Sequence, residues 1–115
     1  MPGGGRRRTS EGIGAEIGVW DKLLTLFEPG EDFVSYGVVE DRFLERYPDD
    51  FTLLLHRYGH KWRDPNYPST QYSMSSYLAG RLRDLANEDQ LDLTWRPAEG
   101  KWKHNETISH WKPSS

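Results

Sequence analysis

The spacing of apolar residues between Met74 and Leu85 constrains this chain more than any other feature. Met74, Tyr77, Leu78, Leu82 and Leu85 recur at three- and four-residue steps. At about 100° per residue they fall on one side of a helix. The pattern predicts a helix that Ser69 or Thr70 caps and that runs to Asn87. Its opposite side carries Tyr72, Ser76, Ala79, Gly80 and Arg83. Small residues there are unusual, because a glycine in a helix interior costs roughly 1 kcal/mol against alanine. They suit the close approach of another molecule. Arg81 falls near the apolar side, so it reads as a snorkelling or ion-paired residue rather than a contact.

A second periodicity follows the helix. Leu91, Leu93 and Trp95 alternate with Asp92, Thr94 and Arg96, as in a strand with one buried side. Pro97 to Gly100 turns the chain, and Lys101 to Trp111 returns. Trp102, Ile108 and Trp111 are its apolar points, and their uneven spacing predicts an irregularity or bulge near His104-Asn105. Trp20 and Trp95 are expected in the core. Trp62 and Trp102, flanked by basic residues, could stack on arginine or a sugar, with packing the simpler role.

Upstream, Ile13, Ile17, Trp20, Leu24 and Phe27 predict one helix from Glu11 or Gly12 to Glu28, stopped by Pro29-Gly30. Phe33 to Tyr36 is a strand too short to stand alone, so it must pair with the C-terminal hairpin. A second helix spans Val38 to Tyr47, with Val38, Val39, Phe43 and Leu44 inward and Pro48 as its end. Asp49 or Asp50 then caps a third helix through Phe51, Leu54, Leu55 and Tyr58, with room to reach Trp62. Arg63 to Pro68 reads as a loop.

At 115 residues the expectation is one domain. Residues 1–10, Gly-rich with Arg6-Arg7-Arg8, read as a disordered basic arm, 11–112 as the domain and 113–115 as a tail. No stretch is apolar enough for a membrane span or a secretory leader. With no cysteine either, the expected location is cytoplasmic. The net charge of −3 is unevenly spread: residues 11–50 carry −8, 51–83 carry +4 and 96–112 carry +2.

His56 and His60 are spaced to chelate a metal from one helix side, but Arg57 stands where a zinc protease has glutamate, and no third ligand is evident. Neither a metal nor a cofactor is expected. By spacing, no serine stands beside a base with an orienting acid, so no enzyme is expected.

Ser75-Ser76-Tyr77-Leu78-Ala79-Gly80-Arg81-Leu82-Arg83-Asp84-Leu85-Ala86-Asn87-Glu88, followed by Leu91, resembles the recognition helix and exit of winged helix-turn-helix DNA-binding proteins. Gly100 to Asn105 resembles a wing tip and its return. The resemblance spans roughly Gly12 to Lys112. It implies an α+β fold of four helices, a short strand and a C-terminal β-hairpin wing. It also implies double-stranded DNA as partner and a role as a small transcriptional regulator. Thr70, Gln71, Tyr72, Ser75, Ser76 and Arg83 would reach base edges or phosphates from the helix. Arg96, Lys101, Lys103 and Asn105 would do so from the wing, and the arginine arm beside them. The first helix has room for a homodimer contact. The rival expectation is a protein-binding adaptor or inhibitor of the same fold, using its acidic 11–50 half.

Overall fold

The computed structural model describes residues 12–60, 63, 64, 66 and 72–114. In chain order they form α1 (Gly12–Ile17), α2 (Val19–Leu24), β1 (Val34–Ser35), α3 (Tyr36–Arg46) and α4 (Pro48–Tyr58). Then come α5 (Met74–Asn87), β2 (Leu91–Pro97), a 3-10 turn (Gly100–Trp102) and β3 (Thr107–Pro113). The fold is α+β, with the antiparallel sheet ordered β1-β3-β2. Among the described residues no helix is long and apolar enough to cross a membrane.

The expected first helix is broken in two. Gly18 adopts φ 65°, ψ 41°, a left-handed conformation that costs glycine nothing. The break lets α1 and α2 bury Ile13, Ile17, Trp20 and Leu23 at a bend rather than along one line.

The inward side of α3 also differs from expectation. Val38 and Leu44 are 39% and 37% exposed, while Tyr36, Val39, Glu40 and Phe43 are buried. A carboxylate, Glu40, occupies a core position on this helix and turns the two aliphatic residues outward. Pro48 begins α4 at its first position instead of merely ending α3. There its missing N–H is no loss. Tyr47 closes one helix and opens the next, so neither Asp49 nor Asp50 is the cap. Both lie in the first turn, where their charge favours the helix dipole.

The register joins Val34 to Trp111 and Ser35 to His110, and runs unbroken from Leu91↔Pro113 to Pro97↔Thr107. The irregularity expected near His104-Asn105 is there, as the turn that precedes β3, and β3 itself pairs without a bulge. Val34, Leu91, Leu93 and Trp111 share the sheet face turned to the helices, and Trp111 is fully buried there. Trp95 belongs to the same face but projects beyond the helices and is 54% exposed, contrary to its expected place in the core. Past Lys112, Pro113 continues β3, and the Ser114 N–H donates to the Gln90 carbonyl.

Candidate nucleic-acid interface

The helix α5 begins later than its stripe suggested. Ser73, not Ser69 or Thr70, is its cap: the Ser73 hydroxyl accepts from the Ser76 N–H at 3.2 Å. The Met74 N–H donates to the Gly59 carbonyl at 2.9 Å. Tyr72 therefore precedes the helix, with its ring edge against Tyr58 at 5.5 Å. Thr70 and Gln71 lie outside the described residues, as do Lys61, Trp62 and Arg6 to Arg8. Met74, Tyr77, Leu78, Leu82 and Leu85 are all buried, as the periodicity required.

Two buried carboxylates seat this helix. Near its start, Glu40 of α3 is fully buried and gathers four donors. The Tyr36 and Ser75 hydroxyls each donate to Oε1 at 2.8 Å. Arg63 Nε donates to Oε2 at 2.8 Å, and His60 Nε2 lies 2.9 Å from the same oxygen. Arg63 also reaches Asp41. Burial pushes the Glu40 carboxyl up. The hydrogen bond and charge of His60, with the hydrogen bonds of Arg63 and Ser75, outweigh it and hold the group below 4.5. Tyr36 moves the other way. Burial, then the adjacent Glu40 charge, keeps its phenol protonated well above 10.0.

Ser75 thus stands beside a histidine and an acid, which spacing alone did not reveal. The sharing of atoms differs from that of a hydrolase. Ser75 Oγ lies 2.9 Å from His60 Nε2, the same nitrogen that faces Glu40. With Glu40 ionised and accepting, Nε2 carries the proton, and the serine hydroxyl gives its own to Glu40 Oε1. No lone pair is left on Nε2 to take a proton from serine, so the trio is a clamp rather than an activated nucleophile. Ser75, expected at DNA, is committed to this clamp.

Toward the end of the helix, Asp84 is fully buried as well. Its Oδ2 accepts from Trp20 Nε1 at 3.0 Å and from Arg81 Nε at 2.7 Å. Arg81 also lies over the Tyr77 ring at 5.0 Å. Arg81 is 8% exposed and turned inward, as its position on the stripe implied. Asp84 Oδ1 and the Tyr77 hydroxyl have no hydrogen-bond partner among the described residues. Both clamps had a sequence signal, an ionisable residue inside an apolar stripe: Glu40 between Val39 and Phe43, and Asp84 between Leu82 and Leu85.

With its ends held, α5 turns outward Ser76, Arg83 and Asn87, with Ala79, Gly80 and Ala86 half-buried. Asp84, the helix's one acidic residue, faces in, so the outward side carries no carboxylate. Arg83 makes no ion pair among the described residues.

The hairpin tip is docked on the body. The Trp102 ring meets Tyr36 edge-on at 5.3 Å and His60 at 6.2 Å. A Cβ at Gly37 would run into its indole nitrogen, so glycine there admits the ring. Trp102 is therefore bound to the Glu40 cluster and not offered to a sugar. Lys101 borders a shallow depression with Leu44, Phe51, Leu55 and Arg63. Lys103 and Asn105 are exposed. Arg96 is on the far face of the sheet, its guanidinium 5.2 Å from the Phe33 ring, with Lys112 at 5.4 Å. The structure thus gathers Ser75, His60 and Trp102 around Glu40 and sets Arg83 and Arg96 apart from that group.

Comparison of the chain with family models, curated proteins and solved structures finds no match.

Proposed function

We propose that this protein binds double-stranded DNA as a small transcriptional regulator of winged helix-turn-helix type. In this reading α5 enters the major groove and the β2–β3 hairpin is the wing. The observation that carries the reading is the outward side of α5. Ser76, Ala79, Gly80, Arg83 and Asn87 offer small, polar or cationic groups and no carboxylate, in a chain where 18 acidic residues outnumber 15 basic ones. A major groove about 12 Å wide admits one helix, and small side chains let its backbone come close. The order of elements supports the same reading: a short strand, then helices, then a helix that leads straight into a hairpin pairing back on that strand. Lys101, Lys103 and Asn105 at the hairpin tip supply phosphate contacts.

The test is a titration against random-sequence duplex at two salt concentrations. The affinity should fall steeply with salt, with a log–log slope of about −0.9 per phosphate contact. Removing Arg83, Lys101 and Lys103 together by alanine should flatten that slope. Absence of binding at low salt sinks the proposal, and binding that the triple variant leaves unchanged sinks the assigned surface. A second reading, protein docking, is favoured by exposed Val38, Leu44 and Leu53 among exposed Asp41, Glu45 and Asp49 on α3 and α4.

A further inference from the structure

The strand β2 is an edge. β3 pairs along one side of it, and no strand pairs along the other among the described residues. The hydrogen bonds just beyond its ends show which backbone groups face outward. The Ala98 N–H donates to the Glu106 carbonyl, and the Ser114 N–H donates to the Gln90 carbonyl. Both pairs continue the register that sets Leu91 against Pro113 and Pro97 against Thr107. Antiparallel pairs alternate between bonded and non-bonded. Asp92, Thr94 and Arg96 therefore bond to β3, while Leu91, Leu93 and Trp95 aim their N–H and C=O groups away from it. Pro97 and Pro113, which lack an N–H, fall at non-bonded positions, as this phase requires.

An edge this long usually repels a second strand through its charges. Here the charges complement a copy of themselves. Laid antiparallel to itself about Thr94, the segment Leu91-Asp92-Leu93-Thr94-Trp95-Arg96-Pro97 sets Asp92 against Arg96 of the second copy, twice. Leu93 meets Trp95, also twice, and Thr94 meets its own copy. Sliding the register by two residues sets Asp92 against Thr94 or Ala98 and loses both ion pairs. Among the described residues Arg96 makes no ion pair within the chain, and Asp92 accepts from the Ser114 hydroxyl alone, at 2.9 Å. Trp95, the most exposed of the large apolar side chains among the described residues, stands where a facing leucine would cover it.

We infer that β2 is a homodimer interface, with two copies pairing edge to edge about Thr94 into one six-stranded sheet. Leu93 and Trp95 exchange N–H···O=C bonds across the two-fold axis. The Asp92–Arg96 pairs lie on the far face at the closer, non-bonded spacing. The interface stands apart from the DNA reading and does not depend on it.

Sedimentation of the full chain from micromolar to millimolar concentration, with amide exchange at each, tests the inference. The expected mass rises from 13.4 kDa to twice that value. The Leu93 and Trp95 amides gain protection with concentration, whereas Thr94 and Arg96, already bonded to β3, do not change. Arg96→Asp should weaken the dimer about tenfold, since it turns two attractive cross-strand pairs repulsive. Adding Asp92→Arg to that variant should restore it. A monomer throughout overturns the inference. So does a dimer that leaves the Leu93 and Trp95 amides unprotected, or a doubly exchanged chain that keeps the native amide pattern without regaining the dimer.

Discussion

Glu40 and Asp84 are both fully buried carboxylates inside helix stripes, and both hold α5, yet they are satisfied differently. Glu40 uses both oxygens and draws donors from α3, from the segment after α4 and from the first turn of α5. Asp84 takes both of its donors on one oxygen. A buried charge is tolerated only when its environment replaces the lost water. Glu40 meets that condition in full. Asp84 meets it in half, leaving Oδ1 without a partner among the described residues. The start of α5, where the hairpin tip also docks, is thus the more completely specified end.

This contrast can be broken experimentally. The largest effect should come from Glu40→Ala, which takes the acceptor from four donors at once, two of them, Tyr36 and His60, buried. Equilibrium urea unfolding should show a loss of about 3–5 kcal/mol, as for a buried pair stripped of one member. Asp84→Ala should cost less, about 2–3 kcal/mol, because only two donors lose their acceptor and Arg81 keeps its stack on Tyr77. A larger loss at Asp84 than at Glu40 would show that the number of donors does not set the ranking.

The acid response sharpens the same comparison. The folded state holds the Glu40 carboxyl below 4.5, so its contribution to stability is fully present above that pH and is lost as the pH falls through the folded value. Stability measured against pH for the wild type and Glu40→Gln should therefore differ by a constant amount near neutrality and converge below about pH 4.5. Parallel curves down to pH 2 or so would deny Glu40 its depressed titration. The smallest effect belongs to Trp102→Ala. Losing two edge-on ring contacts should cost about 1–2 kcal/mol and speed amide exchange between residues 99 and 106, with α5 unchanged. If α5 exchange rises as well, the hairpin tip supports the helix as well as resting on the cluster.

Much of this was legible from residue spacing alone. The apolar stripe of α5 named five of its seven buried residues, the apolar ones, because a three- and four-residue repeat has one geometric solution. The hairpin, and the need of the short Phe33–Tyr36 strand for a partner, follow as directly, although the strand is confined to Val34–Ser35 and Tyr36 opens α3. What stayed hidden depended on contacts between distant segments. Nothing local says that Gly18 will take a left-handed conformation, because a glycine inside a helical pattern is tolerated as often as it breaks one. Val38 and Leu44 look like core residues until Glu40 is known to have partners from His60, Arg63 and Ser75, which lie 20 or more residues away. Trp95 looks buried by alternation, but alternation gives a face of the sheet and not how far the helices extend across it. Ser75 looks like a contact residue for the same reason: its commitment to Glu40 spans 35 residues of chain.

The junction at Tyr47 has a consequence for how this chain can diverge. One residue caps the end of one helix and the start of the next, and a proline follows at once. Such a joint has no slack. Adding or deleting a single residue there would shift the phase of α4 by about 100° and swing Phe51, Leu54 and Leu55 off the core. Length changes are therefore expected to accumulate elsewhere, in the 25–33 connection or the 98–106 turn, while the spacing from Tyr36 to Tyr58 stays constant. In newly sequenced variants, that unbroken interval of helix, tyrosine, proline and helix would identify this architecture even after most of the surface had changed.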